Sequence, residues 1–139
     1  MMRKKLAPSA NCVTFSVTEK GVSRGKVANR LTKCIRASDI AARQGGDEFL
    51  ILLNDNVNLN FVQSVASKLI AELSRTYKFE DNIMIEKIGA SVGVSIYPDQ
   101  GELLRDLVRF ADLAMYQAKK QGKNQFVLYS DTLNQSETS

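Results

Sequence analysis

At 139 residues, 44% hydrophobic and 24% charged, the chain can bury one core and is too short for two comfortable domains. Nineteen Lys and Arg against fifteen Asp and Glu leave a net charge of +4, an excess that suits a polyphosphate ligand and is too small to imply a nucleic-acid polymer. Histidine is absent, which excludes Ser-His, Cys-His and His-ligated zinc chemistry, so any reaction must rest on carboxylates, Lys and Arg.

No stretch approaches the roughly 20 apolar residues of a membrane span, and the basic start MMRKK has no apolar run behind it. The expectation is a soluble cytoplasmic protein. Cys12 and Cys34 have no metal-ligand spacing and are expected to be reduced.

In chain order, CVTFSVTE (12–19) alternates Val13, Phe15 and Val17 with polar neighbours, the period of a half-buried strand. KVANRLTKCIR (26–36) carries Val27, Leu31, Cys34 and Ile35 at helical spacing. IAAR and EFLILL are short strands on either side of Gly45 and Gly46, and the unbroken apolar run FLILL predicts a strand covered on both faces. LNFVQSVASKLIAELSRTY is the clearest helix, with Val62, Val65, Ala66, Leu69, Ile70 and Leu73 in one stripe and Asn56 or Asn58 as its N-cap. GASVGVSIYP (89–98) alternates through Val92, Val94 and Ile96 and stops at Pro98. ELLRDLVRFADLAMYQAKKQG repeats the helical stripe through Leu104, Leu107, Val108, Ala111, Met115 and Ala118, with Gly122 as its stop, and QFVLY is a last strand. The pattern predicts an α+β fold with a ferredoxin-like βαββαβ core and an extra C-terminal helix and strand.

The corner ARQGGDEF combines two glycines with two carboxylates. As a two-residue Gly-Gly hairpin it would set Gln44 opposite Asp47 and Arg43 opposite Glu48, a cross-strand pair contributing about 0.2 to 1 kcal/mol. That reading leaves Asp47 beside Glu48 with no partner, a repulsion that a divalent cation would remove. Hairpin and metal corner stand even on these grounds.

The string RQGGDEF (43–49) resembles the signature that names the GGDEF domain of diguanylate cyclases. RASD (36–39) is similar to that family's RxxD inhibitory motif at the family's spacing, and VANRL to the helix before it. SVGVSIYP resembles the strand after the long helix, and ADLAMYQAKKQGKN (111–124) the ADxALYxAKxxGRN signature. The resemblance covers residues 27–129. It divides the chain into an atypical N-terminal segment (1–26) with a replacement first strand at 12–19, a GGDEF-like domain (27–129) and a flexible tail (130–139).

In that family two facing domains condense two GTP molecules to cyclic di-GMP. The resemblance therefore implies a nucleotidyl cyclase-like fold, GTP and cyclic di-GMP as ligands, and a homodimer or a pairing with another GGDEF domain. Gly45 and Gly46 would admit the nucleotide backbone, and Asp47 and Glu48 would be the catalytic, metal-binding acids, with Mg²⁺ or Mn²⁺ as the ion suited to hard oxygen donors. Lys119 and Lys123 would contact the phosphates, Lys123 standing where most members have Arg. Read without the family, those lysines complement a helix C-terminus. Arg36 and Asp39, assisted by Arg43, would form the inhibitory cyclic di-GMP site; the plainer alternative is an Arg-Asp pair at a helix end.

The likeness stops before VANRL. Members carry there a DxDxFKxIND-type run and a GHxxGD helix entry, which supply another metal-binding Asp and the groups that read guanine. Here Ser16 and Thr18 stand where acids are expected, and Glu19 is the one acid nearby. The chain thus resembles an N-terminally shortened or degenerate member. Three functions follow as expectations: a minimal cyclase, a non-catalytic cyclic di-GMP-binding module, or a protein that pairs with intact cyclases.

Overall fold

The computed structural model describes residues 11–17, 24–45, 48–53, 58–75, 77–78, 85–86, 89–96, 103–122 and 124–130. Among these, the elements run β1 (Asn11–Val17), α1 (Arg24–Thr32), β2 (Ile40–Gly45), β3 (Glu48–Leu53), α2 (Leu59–Leu73), β4 (Tyr77–Lys78), β5 (Ile85–Glu86), β6 (Ala90–Ile96), α3 (Leu104–Lys120) and β7 (Gln125–Leu128). Five strands make one sheet in the order β2-β3-β1-β6-β7, while β4 and β5, which no sequence pattern reveals, pair separately. β1 is central and antiparallel to both β3 and β6; β2 is antiparallel to β3, and β7 is parallel to β6. The order β2-β3-β1-β6, with one helix between β1 and β2 and another between β3 and β6, is the ferredoxin-like core the pattern predicts, with α3 and β7 as the added pair.

Each face of the sheet has its own cover. On β3, Phe49, Ile51 and Leu53 join the main core with Val27 and Leu31 of α1 and Val62, Leu69 and Leu73 of α2. The alternate residues Leu50 and Leu52 pack against Leu107, Val108 and Ala111 of α3 on the opposite face. The two-sided burial expected of FLILL is therefore present, and β3 reaches it as an interior strand one place from the edge.

β6 departs from its expected one-sided burial. Residues 90–95 are all buried, because α3 lies directly over the face that carries Ser91, Gly93 and Ser95. A methyl group placed on Gly93 would overlap the Ala111 carbonyl oxygen and the Met115 amide nitrogen, and Ser95 Oγ donates to the Leu107 carbonyl at 2.7 Å. These residues look polar in an alternation count, yet they stand here because they are the smallest available.

The helix ends have local causes. Asn58 caps α2, its side chain accepting from the Phe61 amide at 2.8 Å. Arg30 of α1 donates to the carbonyls of Glu72 (3.0 Å) and Arg75 (2.7 Å), serving acceptors that the C-terminus of α2 leaves without helical donors. α1 stops at Thr32 rather than running to 36, because the Arg36 amide, which would extend the helix, is held at 2.8 Å by the Asp39 carboxylate. Cys34 is nonetheless buried beyond the helix end. α3 ends as predicted, with Gly122 at φ 123° turning the chain toward β7. Beyond β7, the Tyr129 amide donates to the Val94 carbonyl at 2.8 Å, and its ring stacks on Phe110 at 4.4 Å. Among the described residues no helix is long and apolar enough to cross a membrane.

Gly93→Ala should destabilise the fold by about 3 kcal/mol in urea titration, because backbone on both partners must move. Gly122→Ala, which meets only the end of the Gln125 side chain, should cost about 1 kcal/mol through its φ alone.

Candidate functional site

β2 carries a candidate region at each end. Asp39 immediately precedes it and Gly45 closes it, so six residue steps of extended chain hold the RxxD turn roughly 20 Å from the hairpin corner.

At the corner, the observed register differs from the Gly-Gly hairpin. Gly45 pairs with Glu48 and Arg43 pairs with Phe49, with a shift between them, so Gln44 forms a bulge. The expected Arg43–Glu48 pair is therefore replaced, Glu48 standing opposite Gly45 instead, while the expected Gln44–Asp47 pair falls outside the described residues. Glu48 is partly buried at the start of β3. Gly46, Asp47 and Lys123 lie outside the described residues, as do Thr18 and Glu19.

From Glu48 one row crosses the sheet. Glu48 stands opposite Gly45 on one side and Ser16 on the other, Ser16 opposite Ser91, and Ser91 opposite Gln125. Glu48 is the single charged residue in that row. α3 runs toward it, with Leu107 over Ser95 and then Ala111 and Met115 over Gly93. Its last turn, with Lys119 and Lys120, therefore comes to the hairpin end of the sheet. Lys119 is partly buried there, and Lys120 is exposed with its Nζ 5.6 Å from the centre of the Tyr116 ring.

A magnesium-type cation needs several hard oxygen donors and enough carboxylate charge to offset its own. Among the described residues, no three His, Cys, Asp or Glu side chains gather as a cation site would require. Among the described residues, Glu48 is the one carboxylate of its row, with serines at positions 16 and 91 beside it.

At the other end of β2 the geometry is complete. Arg36 Nε and Nη2 donate to the two Asp39 oxygens at 3.3 and 3.1 Å. The side chain of Asp39 is 1% exposed while that of Arg36 is 43% exposed, so the carboxylate faces inward and the guanidinium outward. The Arg36 Cζ lies 4.7 Å from the centre of the Phe61 ring, which fixes the plane of the fork. Arg36 also lines a cavity of about 230 Å³ with Lys33, Cys34, Phe61, Ser64 and Lys68. Its lining carries three cations, Lys33, Arg36 and Lys68, against two adjacent carboxylates, Asp39 paired with Arg36 and Glu72 near Cys34, which leaves a positive balance suited to an anion. Arg43 does not share it, lining instead an apolar cleft between α1 and β2 with Leu31, Ala41 and Phe49.

Phe61, Ser64 and Lys68 were not anticipated from the sequence. Their spacing, i, i+3 and i+7, places them on one side of α2 beside its apolar stripe, a signal that was available. Burial pushes the Cys34 thiol above its ordinary value of 9.0; Glu72 adds to the rise and Lys68 opposes it.

The sequence profile described as "Diguanylate cyclase, GGDEF domain" matches residues 25–125. Over 109 residues the chain is 35% identical to the bifunctional diguanylate cyclase/cyclic di-GMP phosphodiesterase MucR of Pseudomonas aeruginosa, a match covering 78% of this chain and 16% of that protein. The chain thus spans about a sixth of that relative's length. The GGDEF domain of YfiN from P. aeruginosa superposes with a TM-score of 0.85 at 24% identity, covering 94% of this chain and 83% of that one. The GGDEF domain of DgcB from Caulobacter crescentus, solved in complex with c-di-GMP, gives 0.73 at 20% identity, covering 86% of this chain and 78% of that one. At these identities the two structural matches speak for the fold.

The Cys34 thiol should be alkylated at pH 8 at least about tenfold more slowly in the folded chain than in urea, measured by mass spectrometry. Its folded pKa lies above the unfolded one, so its contribution to stability is whole below pH 9 and is lost as pH rises through the folded value. The thermal midpoint should accordingly fall above pH 9, and less so in Cys34→Ala.

Proposed function

The chain belongs to the GGDEF family, the domain of cyclic di-GMP signalling, and from that premise we propose that it binds cyclic di-GMP at the Arg36 pocket rather than making it. The observation that carries this reading is the outward-facing Arg36 guanidinium, braced by Asp39, stacked on Phe61 and set between Lys33 and Lys68.

The ligand chemistry follows from those groups. Arg36 offers planar paired donors to a phosphate or to a guanine edge, and Lys33 and Lys68 supply point charge. Asp39 acts through Arg36, holding its fork at a fixed angle, and so is a positioning residue. A cavity of about 230 Å³ takes a phosphate or one base, so the rest of a dinucleotide lies outside it, where a second domain would meet it. That the related DgcB domain was solved with c-di-GMP supports this choice of ligand.

The hairpin corner would have supplied the cyclase reaction. In the family's scheme Asp47 and Glu48 act on Mg²⁺ or Mn²⁺ and the 3′-hydroxyl, Gly45 and Gly46 admit the nucleotide, and Lys119 and Lys123 hold phosphate. The neutral row beside Glu48 argues against turnover, and the inhibitory pocket does not depend on that row.

Calorimetry on the full chain tests the reading. Cyclic di-GMP should bind the wild type, and Arg36→Ala and Lys68→Ala should each weaken binding at least about tenfold, as loss of a charge-assisted contact does. Equal affinity in all three proteins would remove the site. Incubation with GTP and Mg²⁺ should yield no cyclic di-GMP at any protein concentration.

A further inference from the structure

β2 is an outer strand of the five-stranded sheet, and no described strand pairs with its outer side. Ile40 through Gln44 are exposed, Ile40 at 53%. No proline interrupts Ile40 to Arg43, Arg43 is the one charge there, and the bulge comes only at Gln44, so the usual guards of a sheet edge are few. The row of backbone N–H and C=O groups at such an edge is a template for another extended chain. A cleft of about 400 Å³ runs beside it, walled by Ala28 and Leu31 of α1, Ala41 of β2 and Phe49 of β3, and Arg43 is the one charged residue in its described lining. The two faces of the edge differ. Ala41 and Arg43 stand opposite Ile51 and Phe49 on the α1 side, while Ile40 and Ala42 stand opposite Leu52 and Leu50 on the α3 side.

We infer that the β2 edge and this cleft together form a docking groove for an extended peptide, which adds a strand to the sheet, carries an apolar side chain into the cleft and sets a carboxylate beside Arg43. Hydrogen bonds to the β2 backbone supply the pairing, and alternate side chains supply the selectivity. An antiparallel strand laid along Ile40–Arg43 places its first residue across from Arg43 and its third across from Ala41 at the cleft, with the second and fourth against Ala42 and Ile40. A second copy of β2 fits the groove poorly. From the strand itself it brings only Ala41 and Arg43 to the α1 side, a methyl that leaves the cleft unfilled and a cation where the cleft already has one. The groove shares no lining residue with the Arg36 pocket, so the inference does not rest on cyclic di-GMP.

The probe is the acetylated and amidated peptide Glu-Val-Leu-Val-Thr, titrated into the isotope-labelled full chain and followed by the backbone amide signals in NMR. It should bind with a Kd below about 1 mM, with the largest shifts in residues 40–43 and in the α1 residues that wall the cleft. Arg43→Glu should weaken this peptide at least about fivefold and bind Lys-Val-Leu-Val-Thr as tightly as the wild type binds the Glu peptide. Ala28→Leu, which fills the cleft, should weaken both peptides. No shift at about 5 mM peptide, shifts centred elsewhere, or equal affinity in wild type and Arg43→Glu would overturn the proposal. So would sedimentation showing that the free chain already covers β2 in a dimer that Ile40→Lys dissociates. Should Ala28→Leu not fold, the exchange of charge between Arg43→Glu and the Lys peptide decides on its own.

Discussion

Where α3 lies on β6 there is no room for a side chain. The Ala111 carbonyl and the Met115 amide occupy the space a Cβ on Gly93 would need, and Ser95 secures the same crossing by donating to Leu107. A helix at that distance cannot slide along the strand or roll upon it without overlap, so the angle and register of α3 are set at this point. Leu50 and Leu52 are covered because α3 is held there, and Lys119 reaches the hairpin end because α3 runs straight on from it.

The opposite face follows a looser rule. α1 and α2 bury branched side chains rather than backbone, and the two helices are joined by Arg30, whose guanidinium serves carbonyls at the end of α2. One side of the sheet is thus fixed by close backbone approach and the other by side-chain packing with a polar clasp. The Arg36 pocket opens on the second side, between the segment after α1 and the first turns of α2, where lysine and arginine stems can adjust to a ligand.

Sequence pattern revealed the elements whose physics is local. The stripes of α2 and α3, the Asn58 cap and the Gly122 stop each depend on residues within one or two turns. It misjudged features that depend on a distant partner. The burial of Ser91 and Ser95 needs α3, and the early end of α1 needs the Asp39 side chain to take the Arg36 amide. For the candidate sites, the RxxD and GGDE strings offered their residues at once. Phe61 and Lys68 join Arg36 only through the fold, and the pairing of Glu48 with Gly45 and Ser16 follows from a bulge and a register that composition does not encode.

The bulge at Gln44 has a mechanical meaning. Upstream of it, Ile40 to Arg43 are phased against Leu52 to Phe49; downstream, Gly45 is phased against Glu48 alone. The extra residue works as a slip joint between two reading frames. The hairpin can gain or lose a residue at that joint without inverting the faces of the strand behind it, so the two ends of β2 are free to diverge separately. A change at one end of this six-residue strand can therefore leave the backbone at the other end where it stands.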